Sequence, residues 1–139
     1  MIVAEVEVTG DMRRAGNSGC RPLADFIFGN NTTRSDIEMT APVTRTASTK
    51  IDMTAPVTRI ENPNDSWTVS FVMPAEWTMD TLPQPNNPDV TIREVPGELL
   101  ATLKFSGRGK ETTHRKKQGD LAYWIEAQGE MISGAPRYA

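Results

Sequence analysis

The stretch Ile37-Glu38-Met39-Thr40-Ala41-Pro42-Val43-Thr44-Arg45 returns fourteen residues later as Ile51-Asp52-Met53-Thr54-Ala55-Pro56-Val57-Thr58-Arg59. Only Glu38 and Asp52 differ, and that exchange keeps the charge. Each copy reads as a short extended segment. Proline fixes its own φ, lacks an N–H and pushes the alanine before it out of the helical region. A strand carrying proline belongs at a sheet edge, a bulge or a strand end. Residues 44–50 form a polar link too short for a helical crossover. The two copies are therefore expected to be extended and to run beside each other, with that link as the turn. Two copies do not make a solenoid, which needs at least about three units.

Outside the repeat, length and composition set the bounds. A chain of 139 residues is expected to form one domain with a core that needs no disulfides. A hydrophobic content of 37% and a charged content of 24% fit a soluble globular protein. The net charge of −3 argues against a general nucleic-acid binder. Cys20 is the only cysteine, so no intramolecular disulfide can form. No apolar run approaches the ~18 residues of a membrane span. Residues 1–10 lack the basic and apolar regions of a signal peptide, which points to the cytoplasm, although a removed signal would leave no trace.

Residues 2–9 alternate Ile2, Ala4, Val6, Val8 with Val3, Glu5, Glu7, Thr9, as in a half-buried strand. Leu23, Phe26 and Ile27 at i, i+3 and i+4 predict a helix over about residues 17–28, stopped at Gly29-Asn30-Asn31. Pro22, Gly16 and Gly19 argue for a late or kinked start. Residues 67–73 form the clearest strand, with Trp67, Val69, Phe71 and Met73 on one face. The proline- and asparagine-rich residues 81–89 are an exposed loop. Residues 90–95 and 99–105 read as a hairpin around Pro96-Gly97. A second helix is expected over about residues 112–128, with Leu121, Trp124 and Ile125 on one stripe, and residues 131–139 begin another extended segment.

The doubled Met-Thr-Ala-Pro-Val, preceded by Leu23-Ala24-Asp25-Phe26-Ile27-Phe28-Gly29-Asn30-Asn31, resembles the SOUL family of haem-binding proteins. Phe71-Val72-Met73-Pro74-Ala75, Ile92-Arg93-Glu94-Val95-Pro96 and Phe105-Ser106-Gly107 match that family in the same order. The doubling is similar to its bacterial branch. The resemblance implies an α+β fold: a distorted antiparallel β-barrel with two helices, built as a pseudo-duplicated effector-binding domain. It covers nearly the whole of residues 1–139. Family members usually continue past the equivalent of Pro136-Arg137-Tyr138 into a final strand. This sequence stops at Ala139, so the terminal strand residues are expected to be missing and an edge left open.

The chemistry implied is non-catalytic binding of haem or another tetrapyrrole as a small-molecule partner. Such a ligand needs an apolar slot, cations for its propionates and usually an axial donor. Leu23, Ile27, Met39, Met53 and the Trp67/Phe71 face could supply the slot, although each also reads as ordinary core. Arg108, Lys110, Arg115, Lys116 and Lys117 hold five of the fifteen basic residues. Positive charge at a helix start opposes the macrodipole, which makes sense if an anion binds there. A solvated helix face is the plainer reading. His114 is the only histidine. It is a candidate iron ligand by residue type alone, and the thioethers of Met39 and Met53 are softer alternatives. Without an axial ligand, metal-free porphyrin should bind nearly as well. Two other functions stay open. One is an effector-binding module for a different amphiphilic molecule. The other is a hydrolase, which would need a buried glutamate such as Glu94 or Glu126 in the pocket. Zinc motifs, a Gly-x-Ser-x-Gly elbow and a phosphate loop are absent from the sequence.

Overall fold

A computed structural model describes residues 1–33, 48–53 and 57–139. The elements are β1 (Ile2–Thr9), α1 (Met12–Ile27), β2 (Asn31–Thr32), β3 (Thr58–Glu61), β4 (Ser66–Val72), β5 (Gln84–Pro85), β6 (Thr91–Glu94), α2 (Glu111–Ala127) and β7 (Arg137–Tyr138). Five strands form one sheet in the order β6-β1-β4-β3-β7, and β2 pairs with β5 apart from it. Every pairing is antiparallel. With two helices on such a sheet the fold is α+β. Among the described residues the sheet is open, with β6 and β7 at its edges, and does not close into the expected barrel.

The period-2 pattern of the sequence sets the register. Ala4, Val6 and Val8 lie opposite Phe71, Val69 and Trp67, which puts one apolar face on β1 and β4. That face packs under α1. Leu23, Phe26 and Ile27 are 1% exposed and meet Val69 and Phe71, both 0% exposed. Burying each such side chain is worth about 2 kcal/mol. Together they outweigh the roughly 3 kcal/mol that an interior proline costs a helix. This is why α1 runs through Pro22 instead of breaking there.

The helix also starts at Met12, earlier than the glycines suggested. Asp11 caps it by accepting a 2.8 Å hydrogen bond from the Arg14 N–H. Gly19 is a packing device: a Cβ there would lie 2.4 Å from Val69 Cγ2. Gly16 faces Arg59, whose guanidinium crosses from β3 to donate to the Met12 carbonyl at 3.0 Å.

Beyond α1 the chain is pinned by a buried side chain. Asn31 Nδ2 donates to the carbonyls of Phe26 and Thr49, both at 2.8 Å, and its Oδ1 accepts from the Thr49 N–H at 3.0 Å. The neighbouring Ile51 N–H donates to the Ile27 carbonyl at 2.8 Å, and the Ile51 side chain is 1% exposed. The second copy of the repeat therefore begins docked on the helix end. Residues 34–47 and 54–56, and with them Met39 and the expected pairing of the two copies, lie outside the described residues.

Two expectations fail in the second half of the chain. β6 forms as anticipated but pairs with β1, and residues 99–105 join no strand. The proposed hairpin is thus replaced by a longer-range pairing. The Val95 N–H donates to the Met1 carbonyl at 2.8 Å, which continues that pairing and directs the chain away from a tight turn. The expected inward stripe of α2 is also not buried. His114 is its one buried residue, while Trp124 is 55% exposed. Among the described residues no strand packs under its second half as β1 and β4 do under α1, so the 3.6-residue period has no described core to face.

Candidate functional site

The second helix is introduced by two glycines. Gly107 and Gly109 take φ of 140° and 49°, which bulkier residues avoid, and turn the chain into Lys110, the helix cap. Lys110 makes no side-chain cap bond, and it and Arg108 are exposed. Among the described residues, neither meets a carboxylate within ion-pair distance. The rest of the basic cluster is partly engaged. Arg115 holds Glu61 at 2.8 Å and Glu111 at 3.1 Å, and donates to the Tyr138 hydroxyl at 3.1 Å. These partners push its pKa above the usual arginine value and commit it to tying α2 to β3 and β7. Lys117 lies 3.7 Å from Asp120 across an exposed helix turn, a pairing worth well under 1 kcal/mol.

His114 stands one turn into α2. Its ring is wedged edge-on between Phe105 (centroids 5.3 Å apart) and Tyr138 (5.6 Å), and the residue is 9% exposed. Burial first, and the charge of Arg59 second, lower its pKa below the usual 6.5. The imidazole is therefore neutral near pH 7, the form a metal requires. Phe105 or Tyr138 would have to swing aside before iron could reach it.

The sign of that shift gives a stability prediction. Below pH 6.5 the unfolded chain binds a proton at His114 that the folded chain resists, so folding stability falls with pH in that range. The contribution is complete above 6.5 and is lost as pH drops toward the lowered folded value. The melting temperature of His114→Gln should consequently fall less between pH 7.5 and pH 5 than that of the unaltered protein. Equal falls would remove His114 from the account.

Past His114, α2 and residues 102–103 enclose a groove of about 410 Å³, lined by Thr102, Leu103, Lys117, Asp120, Leu121 and Trp124. That volume lies within the usual range of small-ligand sites, about 300–1,000 Å³. Lys117 and Trp124, seven residues apart, share one side of the helix, and Lys110 stands at its cap. With a rise of 1.5 Å per residue, Lys110 sits roughly 10 Å along the axis from Lys117. The groove sets the Lys117–Asp120 pair beside an apolar wall of Leu103, Leu121 and Trp124. A second concavity, of about 440 Å³, is lined by Glu61, Asn62, Asp65, Arg115 and Gln118 together with Pro63 and Pro136.

The other sequence candidates lie elsewhere. Leu23 and Ile27 are 1% exposed and packed on the sheet. Met53 is 54% exposed, and the Lys50 ammonium lies 5.6 Å above the Phe28 ring. The structure thus brings Arg108, Lys110 and His114 together around the start of α2, apart from the α1 core positions. The groove walls Leu103, Leu121 and Trp124 were not singled out as ligand contacts by sequence. The heptad spacing of Lys110, Lys117 and Trp124 was the available signal.

A tetrapyrrole is compatible with this arrangement in two respects. Leu103, Leu121 and Trp124 offer a partly solvent-exposed apolar wall, and Arg108 and Lys110 are cations without a carboxylate among the described residues. Among the described residues no histidine or methionine lines the groove, and the His114 ring is covered by Phe105 and Tyr138. In comparisons with known proteins, the family model described as SOUL heme-binding protein matches residues 1–138. No curated protein matches the chain.

Proposed function

The chain belongs to the SOUL heme-binding protein family, and on that premise we propose that it binds haem or a related tetrapyrrole without catalysing a reaction. The observation that carries the reading is the α2 groove, an apolar wall of Leu103, Leu121 and Trp124 beside Lys117, with the exposed Arg108 and Lys110 at the start of the same helix. The ring would lie against Leu103, Leu121 and Trp124, and the propionates would meet Arg108, Lys110 and Lys117. When bound, haem would supply a porphyrin-held iron. The residues of the chain shield the ring from water and fix its carboxylates. His114 remains the only side-chain nitrogen able to ligate after a local rearrangement. Leu23 and Ile27 are buried in the core under α1, and neither they nor Met53 line the groove. The doubled Met-Thr-Ala-Pro-Val supports a place in the bacterial branch.

The same groove would accept another anionic amphiphile, which keeps a general effector-binding role as the second reading. The hydrolase reading needs a buried glutamate, and Glu94 and Glu126 are both exposed.

Reversing charge at the mouth tests the propionate contact. Such a contact is partly exposed and screened over about 8 Å at physiological ionic strength. The double change Arg108→Glu, Lys110→Glu should weaken haemin binding about tenfold or more and leave the dimethyl ester unaffected. The ester keeps the ring and lacks the carboxylates. Equal loss for both ligands would mean the fold is damaged, and no loss for either would return the cluster to a solvated helix face.

A further inference from the structure

The groove along α2 carries one charge of each sign. Among the described residues, Lys117 is the one cation and Asp120 the one carboxylate that line it, 3.7 Å apart. Their side chains are 37% and 53% exposed, so the pairing is weak and open to exchange. The Lys117 ammonium can turn from Asp120 to a ligand carboxylate at little cost. Asp120 can only repel that carboxylate, and repels it more strongly once a seated ring displaces water between them.

Helix geometry fixes where the two charges stand. With about 3.6 residues per turn and a rise of about 1.5 Å per residue, Lys117 and Trp124 lie nearly in line, about 10 Å apart along the axis. Asp120 flanks that line on one side and Leu121 on the other, both near its middle. Thr102 and Leu103 face them across the groove. A flat ring seated on Leu121 and Trp124 therefore meets Lys117 at one part of its rim and Asp120 at another. The exposed Arg108 and Lys110 stand at the start of α2, on the Lys117 side of Asp120.

We propose that Asp120 is a specificity-determining residue of this groove. It selects tetrapyrroles whose carboxylates stand together on one edge, as in haem, and turns away those with carboxylates around the whole rim. The inference rests on the tetrapyrrole reading above and deepens it. Carboxylates gathered on one edge meet Lys117 and the cations at the helix start. The opposite edge, with methyl and vinyl groups, then passes Asp120 and leaves its charge hydrated. Carboxylates on every side would press one of them against Asp120 in any seating of the ring. A purely structural Asp120, pairing with Lys117 one helix turn away, would affect charged and uncharged ligands alike.

The test is Soret titration of the full chain and of Asp120→Asn with haemin, with its analogue bearing propionates in place of the vinyl groups, and with haemin dimethyl ester. The unaltered chain should bind haemin more tightly than the analogue. Asp120→Asn keeps the shape and removes the charge, and should lower that ratio of affinities about two- to fivefold, as expected for an exposed charge pair. Asp120→Lys should lower it further. The ester has no charged rim, so its affinity should be the same for Asp120 and for Asp120→Asn. In about 1 M salt, where screening acts over about 3 Å, most of the difference between the two chains should vanish. A ratio that Asp120→Asn leaves unchanged while haemin still binds would overturn this inference and leave the tetrapyrrole reading standing. So would an unaltered chain that prefers the analogue, or an equal change for all ligands, the ester included. Absence of saturable binding by any of them would overturn the tetrapyrrole reading, and this inference with it.

Discussion

Replacing Gly19 by alanine is expected to destabilise the protein by about 1–2 kcal/mol, although alanine is the better helix former. The new Cβ would stand 2.4 Å from Val69 Cγ2 and 2.5 Å from Val69 Cβ, well inside contact distance. Val69 is 0% exposed, β-branched and fixed in β4 between β1 and β3, so it cannot rotate away. The helix itself must rise off the sheet and loosen Leu23, Phe26 and Ile27. Overpacking of this kind costs typically about 1–3 kcal/mol and occasionally more, against a gain of about 1 kcal/mol in helix propensity. Gly16→Ala is the internal control. Its Cβ meets the Arg59 Nη1 at 2.8 Å, the far end of a flexible side chain that can shift. Urea unfolding should show a lowered midpoint for Gly19→Ala and little change or a gain for Gly16→Ala. Equal midpoints for the two variants would show that the approach of α1 to β4 is looser than described.

The second large effect is expected at Asn31, which is 2% exposed and makes three hydrogen bonds that join the end of α1 to the start of the second repeat. Asn31→Ala leaves the Thr49 carbonyl and N–H without these bonds and the Phe26 carbonyl with only the long 3.4 Å bond from the Gly29 N–H. An unsatisfied buried group costs about 1–3 kcal/mol, so a loss of about 3 kcal/mol follows once some water enters. Asn31→Asp should be worse near pH 7 despite its matching shape. It turns the Nδ2 donor into an anionic oxygen facing the carbonyls of Phe26 and Thr49. Protonation would return a donor, so the aspartate variant should regain stability as pH falls. Thermal melts at pH 7 and pH 4 decide this, and an aspartate variant as stable as the unaltered protein at pH 7 would contradict the assignment.

These two residues show what could and could not be read from the sequence. The strands β1 and β4 were legible because alternation reports directly which side of a sheet faces the core. The body of α1 was legible for the same reason at a period of 3.6, whereas the extent of α2 was legible but its stripe at Leu121, Trp124 and Ile125 is not buried. The start of α1 was not. Gly16, Gly19 and Pro22 carry poor helix propensity, and only the tertiary contact with Val69 and the burial of Leu23 and Phe26 explain a helix that includes them. Asn31 read as a stop signal, whereas its main task is a long-range polar clasp that no local pattern encodes. Residues 99–105 failed in the opposite direction. Their alternation is that of a strand, and strand formation depends on a partner elsewhere.

The candidate site divides along the same line. Arg108, Lys110 and His114 fall together because they are close in sequence, around one helix start. The role of Arg115 as a tie among Glu61, Glu111 and Tyr138 could not be foreseen, since two of its partners come from distant strands. The groove wall at Leu103 likewise depends on how residues 102–103 lie along α2.

The central claim is that α2 offers a tetrapyrrole site held by ring burial and propionate pairing, not by nitrogen ligation from His114. The most direct measurement is a haemin titration followed in the Soret band for the unaltered chain, His114→Ala and Trp124→Ala. Saturable binding is expected, with His114→Ala within about tenfold of the unaltered chain, or 1.4 kcal/mol, and with Trp124→Ala weakened by more than that. Absence of saturable binding, or a hundredfold loss and a changed ferric spectrum in His114→Ala with Trp124→Ala unaffected, would contradict it.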